Sequence, residues 1–254
     1  MQSKTTESLF QTFRDHLDSH HDTRERLIKA SRDITNISKK TIFALHRIAL
    51  EEQDRQVQHP GRNAAIKAYE SLSEVKAIYE KLQPELEGDS FWRYERQVSP
   101  GLQEYIEALS FAHYLNHGSL ITYDQVQETL LDSNGTPYFP LTIADYLLGL
   151  SDLTGELMRY AISSITKKGG RERAMSICAF VRRCRSDFER MTPYIRELSK
   201  KQAVTTQSLE KIEDAAYTIV LRSSEYELPP DILDDIVAQV IATHSSGRID
   251  LTMD

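Results

Sequence analysis

Apolar positions recur every three or four residues along nearly the whole chain. Leu102, Ile106 and Leu109 run on to His113, and Ile143, Leu147, Leu150, Leu157, Ala161 and Ile165 repeat the pattern further on. That spacing follows the pitch of an α-helix and puts one apolar stripe on each segment. No alternating run flanks a tight turn; Asn134-Gly135 is the one hairpin candidate, and its flanks do not alternate. The periodicity predicts helices over about 5–18, 22–56, 62–86, 100–116, 123–132, 142–167, 171–200, 204–224 and 230–243. Stops are expected at His59-Pro60-Gly61, Asn116-His117-Gly118 and Gly169-Gly170, and a start at Pro100 after the cap Ser99. Thr142 with Asp145 three residues on resembles a capping box. Short connections between amphipathic helices imply antiparallel neighbours. The expected fold is therefore all-α, a single-domain antiparallel bundle of about seven helices, the shortest stretches not counted, over residues 1–254, with mobile ends at about 1–20 and 245–254.

Composition narrows the function classes. The chain has 254 residues, 40% hydrophobic and 27% charged, as in an ordinary soluble protein. No apolar run approaches the roughly 18–20 residues that cross a bilayer, and polar residues from Gln2 to Glu7 replace the apolar core of a signal peptide. No membrane role is expected. Cys178 and Cys184 are the only cysteines, which fits a reducing intracellular compartment, cytoplasm or nucleus. The net charge of −7 argues against a chain that coats nucleic acid by itself. Residues 22–47 nevertheless carry Arg24, Arg26, Lys29, Arg32, Lys39, Lys40 and Arg47 against Asp22, Glu25 and Asp33. Such a run reads first as a solvated helix face and second as a phosphate-tracking one.

Two acidic pairs carry the candidate chemistry. Glu104 and Glu107 stand at i, i+3 in Gln103–Ala108, and Asp152 and Glu156 at i, i+4 in Asp152–Glu156. Each pair shares one helix face and repels itself mildly. Brought together, four carboxylates require a cation or protons. All-oxygen donors suit Mg²⁺ or Mn²⁺ better than Zn²⁺, and such an ion activates water for phosphodiester cleavage. The bland alternative is a solvated or salt-bridged pairing, and spacing alone leaves both open. A ferritin-like dimetal bundle is disfavoured, because no histidine has Glu three residues before it. Trp92 reads as a packing or interface anchor, and His113, on an apolar stripe, as a hydrogen-bonded core histidine.

The segments LQEYIEALSFAHYL (102–115), ADYLLGLSDLTGELMRYAISSI (144–165) and SLEKIEDAAYTIVLRSSE (208–225) resemble the translin/Trax family, in particular its Trax branch. The similarity runs from about residue 20 to 230. The resemblance implies that Glu104, Glu107, Asp152 and Glu156 fall at the branch's Mg²⁺-binding catalytic carboxylates, the first pair being non-acidic in translin. It also implies a Mg²⁺-dependent endoribonuclease subunit that works within a translin-containing hetero-oligomer, commonly octameric. The implied substrates are single-stranded RNA, including passenger-strand and precursor-tRNA fragments, with single-stranded DNA a further ligand. Asp145 belongs to a DYL motif common to both branches and reads as helix-start chemistry. Arg93 and Tyr94 align with a basic-aromatic segment that binds nucleic acid in translin, though the rest of that segment differs; an Arg-Tyr pair can contact phosphate and stack a base. The basic nuclear signal of some Trax N-termini is missing. The rival expectation is a non-catalytic, translin-binding scaffold.

Overall fold

The computed structural model describes residues 6–55, 61–165, 167, 169–225, 232 and 239. Seven α-helices lie within these residues: α1 (Thr6–Asp54), α2 (Arg62–Leu82), α3 (Asp89–His117), α4 (Tyr123–Thr129), α5 (Ile143–Ser164), α6 (Gly170–Met191) and α7 (Arg196–Glu225). A 3₁₀ turn at Gln83–Glu85 extends α2, and among the described residues Leu131–Pro137 is an isolated bridge outside any strand. The all-α expectation holds. α1 packs on α2 and α3, α3 on α5, and α5 on α6 and α7, so α3 and α5 run through the middle. Leu102, Tyr105, Ile106 and Phe111 of α3 and Leu153 and Leu157 of α5 are fully buried there.

Several expected boundaries are corrected. The expected break at 18–22 is absent: α1 is one helix of 49 residues. Its sequence contains neither Gly nor Pro, and the polar run Asp18–Asp22 solvates a helix without ending it. The expected helix over 171–200 divides at Thr192–Ile195, where Pro193 lacks the N–H needed to continue, and α7 then runs unbroken through 200–204. The expected helix over 230–243 lies outside the described residues apart from positions 232 and 239, as does the C-terminal tail.

Pro100 does not start a helix; it lies inside α3, which begins at Asp89. A proline there removes a backbone donor and crowds the preceding turn. The neighbouring groups find other partners: Gly101 N–H donates to Ser31 Oγ at 2.9 Å, and the Ser99 hydroxyl donates to Glu95 O at 2.9 Å. A Cβ on Gly101 would stand 2.7 Å from Ser31 O, so the interrupted turn is also where α1 and α3 approach backbone to backbone.

The start of α5 is as expected. Thr142 Oγ1 accepts from Asp145 N–H at 3.0 Å, and its hydroxyl donates to Asp145 Oδ2 at 2.8 Å. Asp145 is buried and also receives Gln103 Nε2 at 2.8 Å, and its Oδ2, 3.1 Å from Ser99 Oγ, shares that hydroxyl's proton with Glu95 O. It therefore pins the N-terminus of α5 to the middle of α3. Ile143, assigned to the apolar stripe, is instead exposed, while α5 is buried on most of its circumference beyond that first turn. Both cysteines are free and buried on α6.

Candidate active site: acidic side chains where two helices cross

The helices carrying the acidic pairs cross at Gly149. A Cβ there would stand 2.7 Å from Ile106 Cβ and 3.0 Å from Gln103 O. Only a residue without a side chain lets α5 come this close to α3. The contact lies one residue from Glu107 and one turn before Asp152, so the close crossing brings the two acidic faces together.

Glu104, Glu107 and Glu156 line one cavity of about 350 Å³ with Lys39, Ile42, Phe43 and Arg159. Glu104 Oε1 is paired with Lys39 Nζ of α1 at 3.1 Å. Glu156 Oε2 lies 2.6 Å from His46 Nε2 of α1 and 3.3 Å from Arg159 Nη1. Asp152, outside that lining, is held by Lys201 of α7, whose ammonium also donates to Leu148 O at 3.3 Å. Glu107 differs: among the described residues its carboxyl has no ion pair or hydrogen bond. Burial raises its pKa from 4.5 to about 8, aided by the charges of Asp152, Glu156 and Glu104 and opposed by Lys201. A carboxyl that keeps a proton near neutrality beside three ionisable neighbours has too little positive charge around it.

The donor chemistry fits a hard divalent cation: oxygen ligands only, and a half-buried acidic group with no partner among the described residues. Among the described residues no group of three or more His, Cys, Asp or Glu side chains already stands in a metal-holding arrangement. The physical reason is in the pairings above. Lys39 and Lys201 engage Glu104 and Asp152, so loading an ion requires these two carboxylates to trade partners.

His46, Lys201 and Arg159 were not among the residues singled out from the sequence. His46 had a readable signal: it interrupts the apolar stripe Ile42, Leu45, Ala49 on α1. Lys201 lies some 50 residues from its acidic partner on another helix, and nothing local marks it. His113 is buried with Nε2 3.3 Å from Ser119 Oγ, as expected of a core histidine; burial, then His117, lowers its pKa. Trp92 is 59% exposed, its ring edge-on to that of Phe91, so it does not anchor the chain's own core. Arg93 and Tyr94 part company. Tyr94 is buried with its hydroxyl 2.7 Å from His20 Nδ1, whereas Arg93 is exposed, with Nη1 2.9 Å from His20 Nε2. Stacking a base on Tyr94 requires its ring to leave that pocket; Arg93 can reach a phosphate where it stands.

Comparison with known proteins follows the same segments. The model of the Translin family matches residues 22–223. Translin-associated protein X of Pongo abelii is 35% identical, covering 89% of this chain and 82% of that protein. Translin of Gallus gallus is 28% identical, covering 79% of this chain and 90% of that one. In three dimensions the crystal structure of apo-NeC3PO superposes with a TM-score of 0.60 at 17% identity, covering 80% of this chain and 92% of its own, which is a likeness of fold.

Proposed function

The chain belongs to the translin family, and from that premise we propose that it is the catalytic subunit of a translin-containing complex that cleaves single-stranded RNA with Mg²⁺ or Mn²⁺. The observation that carries the reading is the state of Glu107, a half-buried carboxyl with no ion pair or hydrogen bond among the described residues, sharing a cavity with Glu104 and Glu156 and within electrostatic reach of Asp152. A protein with no use for a cation gains nothing by burying such a group, which costs stability. Retention of both acidic pairs in a chain more similar to Translin-associated protein X than to translin supports the same reading.

In this reading Glu104, Glu107, Asp152 and Glu156 hold the ion. When bound, a divalent cation supplies Lewis-acid activation of water and neutralises charge on the phosphodiester. The chain's own groups do the rest. Arg159 and Lys39, both largely exposed at the cavity, are placed to bind phosphate oxygens. Lys201, displaced from Asp152, keeps a positive charge beside the cluster. Glu107 takes up a proton when no cation is present and releases it when one arrives.

The partner expectation belongs here as well. Exposed apolar side chains on α1, Phe10 at 67%, Phe13 at 59% and Leu17 at 69%, support assembly with another subunit. A second reading, a non-catalytic subunit of a nucleic-acid-binding shell, draws on the ion pairs that already compensate Glu104, Asp152 and Glu156. The two are separated by co-expressing the chain with translin and following an end-labelled single-stranded RNA. Cleavage in Mg²⁺, its loss in EDTA and its loss in Glu107→Ala are expected. Wild-type cleavage by Glu107→Ala, or no cleavage by the intact complex, would leave the scaffold reading standing.

A further inference from the structure

His46 is costly where it stands. It is 8% exposed on the buried face of α1, its ring 4.7 Å from that of Phe111 and 6.4 Å from that of Tyr160. Its Nδ1 is buried without a hydrogen-bond partner among the described residues. An orphaned buried polar atom costs roughly 1–3 kcal/mol, and an apolar ring would fill the same slot without that penalty. The compensating feature is the other nitrogen. An ionised carboxylate can only accept, so Nε2 carries the hydrogen and donates to Glu156 Oε2 at 2.6 Å. Arg159 reaches the same oxygen at 3.3 Å. Both contacts fall on Oε2, and no hydrogen bond or ion pair to Oε1 is found among the described residues.

We propose that His46 is the positioning residue of the acidic cluster: it anchors Glu156 by one oxygen so that the other is presented to a divalent cation. The inference rests on the metal reading above and adds to it a residue outside the carboxylate set. The imidazole packs in one cluster with Phe111 and Tyr160, whose rings also meet each other, so the anchor is held and the Glu156 rotamer is set before any ion arrives. Hydrogen-bond partners of metal-binding carboxylates are what orient them, and removing one weakens metal affinity or activity by about 10–100-fold.

The test uses the co-expressed complex with translin and Mn²⁺ as the probe, read by the electron paramagnetic resonance signal of the free ion. His46→Phe fills the slot and removes the donor; His46→Gln places an amide N–H near the position of Nε2. The expected result is an unchanged or higher Tm for His46→Phe with Mn²⁺ affinity weaker by about 10-fold or more, and affinity largely restored in His46→Gln. In RNA cleavage, kcat should fall in His46→Phe while KM holds. If the wild-type complex binds Mn²⁺ and His46→Phe binds it equally well, the positioning role is overturned and the metal reading survives. If the wild-type complex binds no Mn²⁺, both fall together. Should His46→Phe fail to fold, His46→Leu provides the donor-free arm, and binding as tight as in His46→Gln would overturn the inference.

Discussion

Among single residues, Glu107 is the one whose protonation couples the site to stability. Its folded pKa, about 8, lies above the ordinary 4.5 because burial and three like charges disfavour the ionised form. The folded state therefore keeps a proton that the unfolded state has released. Stability from this group is complete below about pH 4.5 and is lost as pH rises through about 8. Glu107→Gln removes the titration while keeping the shape. With EDTA present the variant should match wild type near pH 5 and melt roughly 4 °C or more above it at pH 8.5. Mg²⁺ should then raise the wild-type Tm at pH 8.5 more than that of the variant. Parallel melting curves for the two proteins across this pH range would mean that the carboxyl is solvated and the cluster is not strained. Asp145 shows the opposite solution to burying an acid. It is more deeply buried than Glu107, yet Thr142, Ser99, Gln103 and the Asp145 backbone N–H itself complete the cap and its donors. The two acids face different demands, one being finished by the protein and the other left open.

Between elements, the α3–α5 crossing decides whether the acidic faces meet, and glycine placement tests it. In a helix interior Gly→Ala gains about 1 kcal/mol of propensity, whereas overpacking costs about 1–3 kcal/mol. At Gly149 the new Cβ would sit 2.7 Å from Ile106 Cβ and 3.0 Å from Gln103 O, neither of which can swing aside, so overpacking wins. Gly149→Ala should lower the Tm by several degrees and loosen Mn²⁺ binding as the faces separate. Gly155→Ala, with nothing within 4 Å of its Cβ, should be neutral or stabilising in the same melt. Equal behaviour of the two variants would mean that the crossing distance is not set by Gly149. This contrast also marks what the sequence makes legible. Periodicity identifies the helices and the i, i+3 and i, i+4 acidic faces, because those depend only on the pitch of one element. It does not say that Gly149 is a contact and Gly155 is not, since that depends on which helix lies opposite. For the same reason Pro100 reads locally as a start signal, and only the Ser31 hydroxyl on α1 explains how α3 carries it. The partners of the carboxylates, Lys39, His46 and Lys201, come from α1 and α7; His46 stands out locally as a break in an apolar stripe, but which carboxylate each one meets could be found only once the helices were placed.

At the level of the whole molecule, α1 is longer than the bundle that it serves. Its first fully buried residue is Leu27, and residues 8–19 are exposed on every face. These turns still carry an amphipathic stripe, Leu9, Phe10, Phe13 and Leu17, with Phe10 and Phe13 packed edge to face at 6.3 Å. Burying one such ring is worth roughly 1.5–3 kcal/mol, which the isolated chain forgoes. The charge around the stripe bears on what covers it: Asp15, Asp18 and Asp22 outnumber Arg14, so two copies of this arm would bring like charges together. That disfavours self-pairing and favours the non-identical family subunit invoked for function. Phe10→Asp with Phe13→Asp should therefore leave the Tm of the bundle unchanged, because neither side chain contributes to its core. The same pair should weaken assembly with translin by about 10-fold or more, one lost anchor being worth at least about 1.4 kcal/mol. Size-exclusion chromatography with light scattering on the co-expressed proteins reads the outcome. Assembly at wild-type strength would remove the arm from the interface. A loss of Tm would instead place the two phenylalanines within the chain's own packing. Loss of assembly with an intact bundle would explain why so apolar a stripe persists on a chain of net charge −7: the subunit is built to be completed by another.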